Sequence, residues 1–154
     1  MIENFMKIAI DEAALNIDRG GGPFGAAVVK DGKIISCRGN RVTQDNDPTA
    51  HAEVLAIREA AQILGRWDLS DCEIYSSCEP CPMCLGAIYW AHIPVIYFAA
   101  NREDAKNAGF DDSEIYDEIA ADPGNRKIKM VSLLREKAVA GFEKWIKFPA
   151  KERY

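Results

Sequence analysis

A histidine, a glutamate and three cysteines have the types and the spacing of a metal site with its own acid and base. One alanine separates His51 from Glu53, and two residues separate Cys78 from Cys81 and Cys81 from Cys84. Imidazole and thiolate are preferred ligands of Zn²⁺, and a catalytic zinc keeps one of four positions open, so one histidine and two cysteines suffice. A glutamate beside them can carry protons. The pattern predicts a catalytic zinc centre with Glu53 as proton shuttle.

Each half of this predicted site lies where the sequence indicates the start of a helix. Asp47 and Pro48 suit a helix start, and apolar residues then recur at helical spacing until Gly65. Pro80 is expected to open a second helix that runs to about Trp90. The site residues therefore have regular elements to position them.

The positions of the site residues on these helices restrict the geometry. Cys81 and Cys84 fall on the first turn of the second helix, where the helix dipole lowers the pKa of a thiol. His51 and Glu53 are two apart, and they can share a site only across the N-terminal end of their helix. Two helix N-termini are therefore expected to converge on the metal. Cys78 precedes the turn and is expected to point elsewhere, although the spacing leaves it open as a ligand.

The rest of the chain predicts a sheet between helices. A first helix is predicted with one apolar face, formed by Ile2, Met6, Ala9, Ile10, Ala13 and Ile17. Asp31-Gly32, between two β-rich runs, predicts a hairpin with a type I′ turn. Further strands are predicted at residues 72–76, 94–99 and 128–134, and further helices at 113–121 and 135–148. Alternating strands and helices predict a mixed sheet that is covered on both faces.

Composition limits the compatible functions. The chain has 154 residues and a net charge of −5, and we expect one domain over residues 1–154. The acidic balance argues against nucleic-acid binding, which needs a basic face. The first residues lack the features of a signal peptide and no apolar run reaches membrane-spanning length, so we expect a cytoplasmic protein without membrane contact. An odd number of cysteines with C-x-x-C spacing favours metal chemistry over disulfides.

A structural zinc or a pair of buried thiols would explain the same cysteines. A closed structural site needs a fourth ligand, and the other histidine, His92, follows the second helix without ligand-like spacing. A structural zinc also has no need of Glu53. The catalytic hypothesis is favoured, and a zinc-stabilised binding or assembly module is the non-enzymatic alternative.

Two motifs, His51-Ala52-Glu53 and Pro80-Cys81-Pro82-Met83-Cys84, resemble the signature of the zinc-dependent deaminases. Around them, and through Gly109-Phe110-Asp111-Asp112-Ser113 to the C-terminal Tyr154, the chain is similar to bacterial guanine deaminases. The resemblance implies an α/β fold of the cytidine-deaminase-like type, a three-layer α/β/α arrangement with a five-stranded mixed sheet. It also implies Zn²⁺ as the cofactor, held by His51, Cys81 and Cys84.

The same resemblance implies a substrate and an assembly. The expected reaction is the hydrolytic deamination of guanine, a small purine base, to xanthine and ammonia. A homodimer is expected to exchange its C-terminal segments, about residues 135–154, so that each tail closes the other subunit's site. The expected substrate contacts are Phe24, Asn40, Ala52, Asp112 and Tyr154.

Other amidine-bearing substrates are open alternatives. Cytosine, pterins and triazines carry the same exocyclic amine beside a ring nitrogen. A tRNA adenosine deaminase would have a similar core, but it needs a basic RNA track that the net charge of −5 disfavours.

Overall fold

A four-stranded mixed sheet organises the N-terminal part of the chain. The strands are β1 (Gly25–Lys30), β2 (Lys33–Gly39), β3 (Glu73–Cys78) and β4 (Val95–Ala100), in the order β2-β1-β3-β4. β1 pairs antiparallel with β2 and with β3, whereas β3 and β4 are parallel. The α/β class and the mixed sheet are confirmed, but the predicted number of five strands is wrong.

The missing fifth strand is the segment at residues 128–134. The computed structural model describes residues 2–154, and within them this segment has no regular secondary structure. Ile128 is 80% and Leu133 79% exposed, so neither face of the segment is buried. A strand needs a neighbour to pair its backbone groups and a core for one face, and the apolar run alone supplies neither.

The described residues form two compact units, one ending at Asp112 and the other comprising Ser113–Tyr154. In the first unit the helices are α1 (Ile2–Asp18), α2 (Val42–Asp45), α3 (Ala52–Leu64), α4 (Pro82–Trp90) and α5 (Arg102–Asn107). The second unit contains α6 (Ser113–Ala120), a short 3₁₀ turn at Pro123–Asn125 and α7 (Arg135–Lys147). The organisation as one domain over residues 1–154 stays a prediction. No helix within residues 2–154 combines the length and the hydropathy needed to cross a bilayer.

Strand alternation places a core on each face of the sheet. Val28 and Ile74 face one side, where they pack with Ala52, Ala56 and Ala60 of α3 and with Ile88 of α4. Val29 and Tyr75, the next residues along the same strands, face the other side with Ala9 of α1. Successive side chains of a strand point to opposite faces. The expected coverage by helices on both faces is therefore confirmed.

The β1–β2 hairpin turns at Asp31-Gly32 as predicted. Asp31 has φ 49° and Gly32 has φ 70°, and a type I′ turn requires positive φ at both central positions. The pairing continues to Gly25 opposite Gly39. The turn fixes the register for Lys30 and Val29, and a register shift between Val29 and Val28 then brings the start of β1 beside the end of β2.

Helix α1 buries only part of its predicted apolar face. Ile2, Ile10 and Ile17 are 50%, 43% and 55% exposed, whereas Ala9 and Ala13 are buried. The reason is the close approach of β1, because a Cβ built on Gly25 would lie 2.3 Å from the backbone oxygen of Ala9. Only small side chains fit at such a distance. The stripe of small residues therefore faces the sheet.

The helices that carry the metal motifs begin later than predicted. α3 begins at Ala52 instead of Pro48, because the carboxylate of Asp47 accepts hydrogen bonds from the backbone nitrogen and the hydroxyl of Thr49 at 2.8 and 2.7 Å. This local turn competes with the helix. α4 begins at Pro82, with Cys81 as its N-cap.

Candidate metal and active site

Strand and helix ends meet at one edge of the sheet. The pairings Gly25 with Gly39 and Cys78 with Ala100 place the start of β1 and the ends of β2, β3 and β4 at this edge. The segments that follow are tied there, since the backbone nitrogen of Arg41 donates to the oxygen of Ala50 at 2.8 Å. Helices α3 and α4 begin at the same edge, as the sequence predicted.

Three potential ligand atoms converge between the two helix starts. The Nδ1 atom of His51 lies 3.5 Å from Sγ of Cys81 and 3.5 Å from Sγ of Cys84. All the ligand atoms of these residues lie within 4.8 Å of one another. A tetrahedral zinc separates its nitrogen and sulfur ligands by roughly 3.6 Å. The three residues therefore fit a zinc ion that keeps its fourth position open.

The backbone explains why these side chains meet. His51 and Cys81 are the N-cap residues of α3 and α4, both with extended φ and ψ, and neither side chain caps its helix by a hydrogen bond. N-cap positions usually hold residues whose side chains bond to the first helical amides. Here both side chains turn towards each other, and Cys84 joins them from the first turn of α4.

The contacts among the ligand atoms move the pKa values of the two thiols in opposite directions. Hydrogen bonds from Cys84 and His51 lower the pKa of Cys81 to about 4. The pKa of Cys84 is raised, first by its hydrogen bond to Cys81 and then by burial. The hydrogen bond with Cys81 also raises the pKa of His51. A coordinating thiol is deprotonated outright, so metal binding would release the proton of Cys84.

Glu53 is placed to exchange protons with this site. Its side chain is 6% exposed. Oε1 accepts a hydrogen bond from the hydroxyl of Ser76 at 3.0 Å, and Oε2 lies 3.3 Å from Sγ of Cys84. Burial raises the pKa of Glu53. A buried carboxyl with a raised pKa beside a metal site has the properties of a general acid and base.

Cys78, which the spacing left open, lies apart from the ligand group. Its side chain is buried, and Sγ lies 3.8 Å from the backbone oxygen of Asn101. Within residues 2–154, the cluster that could hold a metal contains His51, Cys81 and Cys84 without Cys78. Cys78 is therefore a buried residue at the end of β3, outside the ligand group.

Three of the predicted substrate contacts surround the same sheet edge. Phe24 directly precedes β1, and its ring meets that of Phe110 edge-on with centroids 4.8 Å apart. Asn40 follows β2, and its backbone nitrogen donates to the oxygen of Phe24 at 3.2 Å. Ala52 is buried at the first position of α3, between His51 and Glu53.

The other two predicted contacts have different surroundings. Asp112 is half-buried at the end of the first unit, where its Oδ1 lies 3.3 Å from Nε of Arg102. Tyr154 belongs to the second unit and is 75% exposed. Their roles as substrate contacts stay predictions.

Sequence reasoning overlooked several residues that support the site. Ser76 holds Glu53, Phe110 packs against Phe24, and Asn16 donates a hydrogen bond to the side chain of Asn40. Asn16 had a usable signal, because an asparagine three residues after Ala13 on a helix is a polar group on a buried face. Ser76 had none, since a serine in a strand is common at exposed positions.

Comparison with known proteins identifies the family. Residues 1–100 match the cytidine and deoxycytidylate deaminase zinc-binding region. The chain is 50% identical to the guanine deaminase of Bacillus subtilis over 99% of its length and 98% of the relative's. The X-ray structure of that enzyme superposes with a TM-score of 0.96, again at 50% identity, and covers 99% of this chain and 98% of its own.

Two further comparisons define the breadth of the family. A structure described as guanine deaminase from Nitrosomonas europaea has a TM-score of 0.68 at 33% identity and covers 91% of this chain and 81% of its own. A tRNA-specific adenosine deaminase from Aquifex aeolicus is 44% identical over 107 residues, which is 70% of each chain. With its His, Cys and Cys cluster and its full-length likeness, the chain belongs to the zinc-binding cytidine and deoxycytidylate deaminase family, and within it to the guanine deaminases.

Proposed function

We propose that this protein deaminates guanine by hydrolysis, giving xanthine and ammonia. The observation that carries the proposal is the buried Glu53 carboxyl beside His51, Cys81 and Cys84, in a chain whose likeness to a guanine deaminase extends over 99% of its residues. Guanine carries an amine on C2 beside a ring nitrogen. This amidine unit is also the part of cytosine and adenine that zinc deaminases attack.

Glu53 carries the protons in the proposed mechanism. Zn²⁺ held by His51, Cys81 and Cys84 supplies Lewis-acid chemistry that makes water nucleophilic at neutral pH. Glu53 accepts a proton from the attacking water and donates it to N3, the unprotonated ring nitrogen next to C2. Glu53 then takes the proton of the new C2 hydroxyl group and passes it to the exocyclic amine; the bond from C2 to that amine breaks, ammonia leaves, and the C2 carbonyl of xanthine forms. Ser76 keeps Oε1 of Glu53 occupied, so that Oε2 faces the metal side.

Five residues are proposed to hold the base. Phe24 packs against the purine ring, with Phe110 supporting its edge. The side chain of Asn40 pairs with an acceptor of the purine, and Ala52 offers a first-turn position of α3, where helices leave backbone N–H groups without intrahelical partners. Asp112 and the C-terminal Tyr154 of the other subunit are proposed to complete the pocket.

A tRNA adenosine deaminase is the second candidate, favoured by 44% identity to one such enzyme. That likeness covers 107 residues, whereas the likeness to guanine deaminase also includes the C-terminal part of the chain. The net charge of −5 opposes binding of a polyanion. Tight, salt-sensitive retention of tRNA in a filter-binding assay would favour this candidate over guanine.

We further propose a homodimer that exchanges residues 135–154. Support comes from the second unit, where large apolar side chains are 66–80% exposed, more than a monomer usually leaves uncovered; they are Ile128, Leu133, Leu134, Phe142 and Ile146. The proposed compartment is the cytoplasm, because none of the five cysteines is in a disulfide.

A panel of bases and nucleosides with ammonia detection tests the proposed reaction. Zinc-loaded protein is expected to release ammonia from guanine and to form xanthine in equal amount, with slower or no release from cytosine, pterins, triazines and adenosine. Turnover of one of these substrates without turnover of guanine would contradict the proposal.

A further inference from the structure

Asn16 is a buried polar residue that the proposed mechanism does not use. It lies on the sheet-facing side of α1 and is 4% exposed. Its Nδ2 atom donates to the backbone oxygens of Gly22 and Asn40, both at 2.9 Å, and to Oδ1 of Asn40 at 2.7 Å. A buried amide with three acceptors around its nitrogen is held in one orientation.

The identity of these acceptors removes the usual ambiguity between amide oxygen and nitrogen. Backbone carbonyl oxygens only accept, so the atom of Asn16 that faces Gly22 and Asn40 must be the nitrogen. The Asn40 side-chain atom that meets this nitrogen must then be the oxygen. It follows that Asn40 turns Oδ1 towards α1 and directs Nδ2, a donor with two hydrogens, away from Asn16.

Two glycines lock Asn16 in place. A Cβ built on Gly21 would lie 2.2 Å from its Nδ2, and one built on Gly39 would lie 2.4 Å from its Cγ. The amide therefore lies pressed between the segment before β1 and the end of β2. Neither glycine has a positive φ. A side chain is therefore excluded by the closeness of Asn16 and not by the backbone conformation.

We propose that Asn16 is a positioning residue that fixes Asn40 as a hydrogen-bond donor towards the substrate and thereby selects purines with an acceptor at position 6. This inference rests on the proposed function. The Hoogsteen edge of guanine offers N7 and O6, both acceptors, whereas a 6-aminopurine has a donor in place of O6. A fixed Nδ2 donor of Asn40 at position 6 pairs with O6 of guanine and cannot pair with the amine of a 6-aminopurine. If the Asn40 amide were free to turn, it could present its nitrogen to O6 of guanine or its oxygen to the amine of a 6-aminopurine.

Paired measurements on guanine and 2,6-diaminopurine test the role of Asn16. The two bases share the C2 amine and differ at position 6. In Asn16→Ala the KM for guanine should rise about tenfold, the value of one hydrogen bond, with a smaller change in kcat. The inhibition constant of 2,6-diaminopurine should change much less. The preference of the variant for guanine over 2,6-diaminopurine should therefore be smaller than that of the wild type. Gly21→Ala, which displaces the same amide, should give the same result, and Asn4→Ala on the exposed side of α1 should leave both constants unchanged.

Other results would overturn the role of Asn16. Equal weakening of both bases would mean that Asn16 supports only the fold, and unchanged constants in both variants would mean that it does not orient Asn40. Either result leaves the proposed function intact if the wild type still converts guanine. A wild type without guanine turnover would instead remove the proposed function itself.

Discussion

At the scale of single residues, the site depends on one carboxyl group that is costly to keep. Glu53 is buried beside the thiols, and burial disfavours its charged form. Ser76 offsets part of this cost with a single hydrogen bond. A glutamate in such surroundings is poorly explained by fold stability and is well explained by proton transfer.

Replacing Glu53 by glutamine should separate catalysis from metal binding. The amide oxygen of Glu53→Gln can still accept from Ser76, but it cannot carry a proton. We expect kcat for guanine to fall by about 10²–10⁴-fold with zinc content unchanged, measured by ammonia release and by metal analysis of the purified protein.

A matched variant on the same helix controls for the change of charge. Glu59 on α3 pairs with Arg38 at 3.3 Å outside the site, so Glu59→Gln should keep wild-type turnover. If Glu53→Gln retained metal, fold and full activity, the catalytic hypothesis would fail and a zinc-stabilised binding module would replace it.

At the scale of elements, α1 and β1 approach each other closely at Gly25. A Cβ on Gly25 would lie 2.3 Å from the oxygen of Ala9 and 2.7 Å from the nitrogen of Ala13. Backbone atoms cannot move aside as a flexible side chain can. We expect Gly25→Ala to destabilise the protein by about 1–3 kcal/mol, seen as a lower melting temperature.

A second glycine provides the control for that prediction. Gly86 lies inside α4 with nothing within 4 Å of a built Cβ. Because alanine suits a helix interior better than glycine, Gly86→Ala should raise stability by roughly 0.5–1 kcal/mol. Equal melting temperatures for the wild type and Gly25→Ala would show that α1 adjusts to the added methyl group.

The same contact explains where sequence reasoning succeeded and failed. The turn at Asp31-Gly32 and the convergence of two helix starts could be predicted, because each depends on local backbone chemistry or on ligand spacing. The burial of Ala9 and Ala13 in α1 was predicted, but the exposure of the isoleucines on the same apolar face was not, since both sets have helical spacing. Gly25, a residue of β1, determines that the alanines of α1 and not its isoleucines face the sheet. The run at residues 128–134 misled for a similar reason, because its pairing partner is not a property of its own sequence.

At the scale of the whole molecule, the exposed apolar side chains of the second unit are the feature that bears on the oligomeric state. Trp90 and Tyr89 at the end of α4 in the first unit are also 66% and 74% exposed. Surfaces of this kind commonly mark subunit contacts. They support the proposed dimer.

Mixing two inactive variants tests whether the tail acts on the other subunit. Glu53→Gln lacks the proton carrier and Tyr154→Ala lacks the proposed closing residue, so each alone should be nearly inactive. If tails are exchanged, a mixed dimer contains one complete site. Unfolding and refolding the two variants together should then restore about a quarter of wild-type activity.

The refolded mixture separates the two arrangements of the tail. A tail that closes its own subunit's site gives no complete site in any dimer, so the mixture would remain as inactive as its components. Light scattering after size-exclusion chromatography establishes independently whether the protein has the mass of a dimer.

The use of N-cap positions as ligand positions sets a limit on how stable this protein can become. Asp, Ser, Thr and Asn are the residues that best cap a helix, each stabilising it by about 1 kcal/mol. His51 and Cys81 occupy two such positions without capping their helices. A sequence optimised for stability alone would replace both and lose the metal. Selection for activity and selection for thermostability therefore oppose each other at the residues that define the site.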